Sequence, residues 1–222
     1  MSEKGDVLQS FRKDVLEALQ SNLVCLLHHG SRAKGEARPN SDYDSVIITK
    51  KIDKEVITNL QNVFSKYPQF SLYLLSLDEL NTMPRGHRLE FLYAKPLYGS
   101  VDLELPTKEE TASYIAYMRR DTLDALRHML TLPHPTERRT KLVYYSLKVV
   151  YICLSYLAFS EEGKLPPTRE QTINYFKKKK KQNLGIRLLR ILNNWDSYKE
   201  DVARTPDPYL YLLEEFFREF HF

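Results

Sequence analysis

Residues 23–48 read LVCLLHHGSRAKGEARPNSDYDSVII, and the rest of the chain is read outward from them. Leu23, Val24, Cys25, Leu26 and Leu27 make an apolar run of strand length that stops at His28 and His29. Gly30-Ser31 follows, a small-residue turn ahead of a helix expected from Arg32 to Glu36. Such a turn sets backbone N–H groups and the Ser31 hydroxyl at a helix N-terminus, where a phosphate is favoured, and Gly30 lets the backbone come close. Pro39, Asn40 and Ser41 signal a loop, after which Asp42-Tyr43-Asp44 opens a second apolar run, Val46-Ile47-Ile48. Residues two apart on a strand point to one side, so Asp42 and Asp44 should present two carboxylates beside the Gly-Ser turn. This pattern predicts a magnesium site next to a phosphate site.

On these residues the segment resembles the nucleotidyltransferase superfamily that includes DNA polymerase beta, in particular its minimal and antibiotic-modifying branches. Their signature is a Gly-Ser turn followed by an Asp-x-Asp strand. Gly30, Ser31, Arg32, Ala33, Gly35, Ser41, Asp42 and Asp44 match it in order, and a looser likeness of strands and helices continues to Gly99. The resemblance implies Asp42 and Asp44 as catalytic residues and ligands of Mg2+. It implies Gly30, Ser31, Arg32 and Ser41 as the nucleotide-binding set. The reaction it implies moves an NMP, by family habit AMP from ATP, to an acceptor with release of pyrophosphate. Arg32 either contacts phosphate or braces its loop. Lys34 and Arg38 either add positive potential over a triphosphate or are solvated.

Two positions depart from the family pattern. Members that use two metals carry an Asp or Glu on the next strand, where FSLYLLSLDEL places Ser71. Asp78, Asp102 and Glu104 are the acids available to substitute, each with a surface or capping role as the plainer reading. In the kanamycin-modifying relatives a Glu on a later helix serves as general base, a task suited to a carboxylate within hydrogen-bond reach. Here no acid lies between Lys141 and Ser160, which leaves Glu137, Glu161 and Glu162. The departures keep two alternatives beside the transferase: a catalytically degenerate nucleotide-binding or regulatory protein, and a protein- or RNA-modifying member of a toxin–antitoxin module.

With 222 residues, 42% hydrophobic and 28% charged, the chain can bury a sizeable core in one large or two small domains. No run is read as approaching a membrane span of about 18 apolar residues, and MSEKGDVLQS lacks a signal-peptide pattern. A cytoplasmic protein with no membrane partner is expected. Cys25 and Cys153 sit far apart in apolar segments, without a zinc spacing, and read as buried free thiols. The net charge of +4 suits an anionic substrate without requiring nucleic acid. Lys177 through Lys181 is the strongest charge run, a solvated helix end or, with Arg187 and Arg190, a nucleic-acid patch. A small molecule is the favoured acceptor class. Because related enzymes often build the acceptor site across two subunits, a homodimer is also an expectation.

The expected architecture is an α/β (α+β) nucleotidyltransferase domain with a mixed sheet over 1–105, then an all-α helical bundle over 106–222 that supplies acceptor contacts. Helices are predicted over 6–20, 53–64 with Asp53 as cap, and 88–94, and a short helix is predicted to open at Asp78-Glu79. Strands are predicted at 70–77 and 97–99. After Leu105 helical periodicity predicts 108–131, 136–160, 169–177, 184–199 and 207–221, with breaks at prolines and Gly163. The 136–160 segment is apolar nearly all round and should be the central helix. His28 and His29 should face opposite sides of their strand, either as structural residues or as supports behind the residues of the site, and Tyr43, facing away from the two aspartates, should be core.

Overall fold

The computed structural model describes residues 3–39 and 41–221; Asn40, read above as part of a loop, and the first two residues lie outside them. In chain order the first half runs α1 (Glu3–Leu19), β1 (Leu23–His29), α2 (Gly30–Lys34), β2 (Tyr43–Thr49), α3 (Lys54–Lys66), β3 (Phe70–Ser76), α4 (Leu77–Thr82), α5 (Arg85–Arg88) and β4 (Lys95–Tyr98). The second is helical: α6 (Lys108–Thr131), α7 (Thr136–Glu162), α8 (Arg169–Lys179), α9 (Asn183–Asn193), α10 (Trp195–Arg204) and α11 (Asp207–Glu219). Residues up to Leu105 form one compact unit and those from Pro106 onward a second.

The sheet is mixed, in the order β3-β2-β1-β4. β1 is antiparallel to both β2 and β4, while β2 and β3 run parallel, joined through α3. Strand alternation sorts the apolar residues into two layers. Leu23, Leu26, Ile47 and Phe70 pack with Phe11 and Val15 of α1 and with Val56, Leu60 and Val63 of α3. Cys25, Leu27, Val46, Ile48 and Leu75 pack on the other side with Leu80 and Phe91. Leu23 and Leu26 are three apart yet share a face because the ladder shifts register between Leu23 and Cys25; the extra residue of that irregularity, Val24, resets the alternation. Its carbonyl oxygen lies so close to Gly99 that a Cβ there would overlap it, and Gly99 takes φ +61°.

Local chemistry sets the helix ends. Asp53 accepts from Val56 N (3.0 Å) and caps α3 as expected. Ser76, rather than Asp78, caps α4, in a capping box with Glu79. The helix predicted over 88–94 is instead the short α5 and a 3-10 turn at Leu89–Phe91. Arg88 explains the early stop: it is buried, and its terminal nitrogen donates to the carbonyls of Leu80, Asn81 and Met83 at the end of α4, which holds the chain against that helix.

In the second unit α7 packs against α6, α8, α9, α10 and α11 and is its central helix. The expectation that no segment approaches a membrane span needs correction. α7 contains an 18-residue window long and apolar enough to cross a bilayer, and more than half of that window is buried among its neighbours, as in the core helix of a folded domain. α9 approaches closely because of Gly185: a Cβ there would come within 2.8 Å of Leu154 and 3.0 Å of Phe216. The single helix predicted over 184–199 is broken at Asn194 (φ −103°, ψ 31°), where α9 ends and α10 begins. The Asn194 side chain donates to the Arg190 carbonyl (3.0 Å), the local competition with the helix ladder that makes asparagine a helix terminator.

Candidate functional site

The site begins where β1 ends. His29 pairs with Asp44 across the antiparallel ladder, and Asp44 pairs with Ser71 across the parallel one. Three strands thus place His29, Asp44 and Ser71 in one row across the sheet. Immediately after His29 the chain turns through Gly30 at φ +75°, a left-handed backbone that favours glycine, into the single turn of α2. That helix starts at Gly30, two residues earlier than expected, and Gly35 ends it in the left-handed conformation.

Gly30 and Asp44 are in intimate contact. A Cβ on Gly30 would overlap Asp44 Oδ2 and sit 2.7 Å from its Cγ, so only glycine leaves room for this carboxylate. The other oxygen, Oδ1, accepts a hydrogen bond from the Ser71 hydroxyl (2.8 Å). Asp44 is therefore half-buried and oriented from both sides, by a missing side chain and by a hydroxyl. Asp42 lies two residues earlier, at the mouth of β2, exposed and with no hydrogen-bond or ion-pair partner among the described residues.

Arg32 braces its loop. Its Nε donates to the Ser41 carbonyl (2.8 Å), a terminal nitrogen donates to the Pro39 carbonyl (3.3 Å), and the guanidinium carbon sits 4.2 Å from the centre of the Tyr43 ring. The Ser41 hydroxyl accepts from Arg38 N (2.9 Å), closing the turn into β2. Tyr43 faces away from the aspartates and stacks on Phe70 at 4.8 Å, in the layer under α1 and α3.

The two histidines point to opposite sides of β1, and both are covered. His28 is buried with its ring 5.9 Å from Tyr43; burial, and then the Lys95 charge, lower its pKa. His29 lies on the Asp44 side, edge-on to Phe91 and hydrogen-bonded to the Glu90 backbone. Burial lowers its pKa more than the nearby Asp44 and Glu90 charges raise it.

Of the acids weighed as a third carboxylate, none converges on Asp44. Glu104 pairs with Arg85 (2.8 Å), and Asp78 and Asp102 are exposed. Among the described residues no group of three or more His, Cys, Asp or Glu side chains gathers as a metal site. The general-base candidates are engaged elsewhere: Glu137 pairs with Lys141 (2.7 Å), and Glu161 and Glu162 pair with Lys179 (2.9 Å each) and take the Tyr175 hydroxyl. These bonds hold the pKa of all three acids below the usual carboxylate value. The same contacts show where the lysine run goes, since Lys179 and, at 3.9 Å, Lys181 face the acidic end of α7. What the sequence reading missed is the Ser71 bond to Asp44. Its signal was the placement of Ser71 on the neighbouring parallel strand.

No family model matches the sequence, and no curated protein matches it. Solved structures do. A spectinomycin adenyltransferase, AAD(9) from Enterococcus faecialis, solved with ATP and spectinomycin, superposes with a TM-score of 0.61 at 14% identity, covering 96% of this chain and 99% of that one. The chain has a nucleotidyltransferase-like fold. A toxin–antitoxin complex with AMP-PNP (TM-score 0.32, 18% identity) and a mutant of the toxin–antitoxin MntA-HpeT (0.31, 16%) align over 41% and 45% of this chain, and over 73% and 75% of their own chains.

Proposed function

We propose that the protein is a nucleotidyltransferase that moves AMP from ATP to a small-molecule acceptor and releases pyrophosphate. The observation that carries this reading is the seating of Asp44 against Gly30. A strand acid and a glycine turn meet with no side chain between them, in a fold shared end to end with an adenyltransferase. In this reading Gly30 and Ser31 offer the first N–H groups of α2, which have no partner inside the helix, to the triphosphate. Arg32 and Ser41 keep that turn in place from behind.

Asp42 and Asp44 suit Mg2+ as hard oxygen donors and would hold it together with phosphate oxygens and water. The ion, when bound, would neutralise charge on the triphosphate. Because Ser71 occupies one oxygen of Asp44 and no third acid converges among the described residues, the donor set fits one ion better than two. Asp42, exposed and without a partner among the described residues, supplies the second carboxylate at the mouth of the strand. A small acceptor is favoured because the neighbour of matching length was solved with spectinomycin.

The test is pyrophosphate release from ATP and Mg2+ over a panel of amino-sugar and aminocyclitol acceptors, with thermal shift as the binding measurement. The wild-type chain should be stabilised by ATP only with Mg2+ and should release pyrophosphate with at least one acceptor. Asp42→Asn and Asp44→Asn should lose both responses while unfolding like the wild type. Stabilisation by Mg2+ and ATP with no pyrophosphate from any acceptor would make the protein a nucleotide sensor instead.

A further inference from the structure

The helical unit has a cleft of its own, far in sequence from the Asp44 site. α9, α10 and α11 meet around a cavity of about 400 Å³ lined by Arg187 and Arg190 on one side and by Tyr198, Asp201, Tyr209 and Leu212 on the other. This volume is of the size that holds small ligands, typically about 300–1,000 Å³.

The two arginines are three apart on α9, hence neighbours on one face, and both line the cavity. Neither guanidinium has a hydrogen bond or ion pair among the described residues. The acid in the cleft is already used: Tyr209 Oη donates to Asp201 Oδ2 at 2.5 Å. Burial, and then this bond, push the Tyr209 phenol up to about 12, so the hydroxyl keeps its proton and Asp201 keeps its partner across the physiological range. The result is a cavity with two uncommitted positive forks on one wall and two phenol rings beside an apolar leucine on the other.

We propose that this cleft binds a small phosphate monoester carried on a flat ring. Two planar forks side by side present more N–H donors than the two oxygens of one carboxylate can take up, whereas the three terminal oxygens of a phosphate can bridge both. The Tyr198 and Tyr209 rings and Leu212 offer the flat apolar surface that a ring would cover. The residues come entirely from the second unit and include none of the proposed transfer machinery, so the inference stands or falls separately from the proposed activity.

The probe is phenyl phosphate, titrated calorimetrically into the full chain without Mg2+ or nucleotide. Inorganic phosphate, phenol and benzoate separate the anion, the ring and the carboxylate. Phenyl phosphate should bind more tightly than each of the three. Arg187→Ala and Arg190→Ala should each weaken it by about 10-fold or more, the loss of a charge-assisted bond. Arg190→Lys, which keeps the charge and removes the fork, should also weaken it, and Tyr198→Ala should bring its affinity toward that of inorganic phosphate. Both arginines are exposed on a helix, so unchanged thermal unfolding identifies folded variants; if an alanine variant fails to fold, Arg187→Gln and Arg190→Gln carry the test. Asp44→Asn should bind phenyl phosphate like the wild type. Equal binding by the arginine variants, loss in Asp44→Asn, tighter binding of benzoate, or no binding overturns the proposal. So does a single-stranded RNA oligomer that needs both arginines and outcompetes the probe, because the face is then a nucleic-acid surface.

Discussion

The two units use their sequence in opposite ways. In the sheet unit the candidate site is assembled from neighbours: His29 and Asp44 face each other on two adjacent strands, Gly30 directly follows the first of them at the start of α2, and Ser71 comes from the next strand over. In the helical unit a cleft draws its walls from three helices, and the central helix of the unit contributes nothing to its lining. A sheet fixes neighbours by backbone hydrogen bonds, so a motif in sequence becomes a constellation in space. A bundle fixes them by side-chain packing, which leaves only periodicity visible along the chain.

Truncating Leu154 on α7 tests the contrast most severely. It is fully buried against Gly185, and Leu154→Ala should cost about 2–5 kcal/mol of stability in the helical unit. Each unit carries one buried thiol as its reporter: burial pushes Cys25 up to about 11 and Cys153 up to about 12. Since only the thiolate reacts, both should resist alkylation at pH 8 in the native chain. In Leu154→Ala the labelling of Cys153 should accelerate while that of Cys25 stays slow, as followed by mass spectrometry of the two peptides. Equal acceleration at both cysteines would mean that the units open together and would erase the comparison.

A smaller effect is expected from the two groups that orient Asp44. Gly30→Ala forces a side chain into a left-handed position, a penalty of about 1–2 kcal/mol before any displacement of the carboxylate. Thermal stabilisation by ATP and Mg2+ should then vanish. Ser71→Ala removes one hydrogen bond, worth about 0.5–1.5 kcal/mol, and should weaken that stabilisation without abolishing it. If Ser71→Ala proves as damaging as Gly30→Ala, the hydroxyl matters as much as the space.

The smallest effect concerns the cluster that joins α7 to α8. The Tyr175 hydroxyl, followed by Lys179, holds the Glu161 pKa below its ordinary value of 4.5. A lowered folded pKa stabilises fully above the unfolded value and loses that contribution as pH falls through the folded one. Melting temperature should therefore decline slightly below about pH 4.5 from this cluster, and Lys179→Met should flatten that part of the profile, read by circular dichroism. The pairs are largely exposed, so the change should be slight.

Several features were readable along the chain. The Asp53 cap, the ends of β1 to β3 within a residue or so and the central helix follow from local signals, namely alternation, capping side chains, glycine and proline, whereas the mixed sheet was expected from the family resemblance. The break at Asn194 escaped because an apolar face continues past it. The early stop of α5 escaped because it depends on where Arg88 finds carbonyls. Arg32 could be assigned to its loop only once the Pro39 and Ser41 carbonyls were seen to point at it.

The sequence alone determined that a Gly-Ser turn and an Asp-x-Asp strand follow one another between two apolar runs, since backbone freedom and strand alternation are properties of residues close together in the chain. Only the tertiary structure decided that Ser71 would hold Asp44, that the lysine run would face the acidic end of α7, and that Arg187 and Arg190 would lie beside two tyrosines with no hydrogen-bond or ion-pair partner among the described residues. Those outcomes depend on strand register and helix packing, which bring together residues whose separation along the chain carries no trace of their meeting.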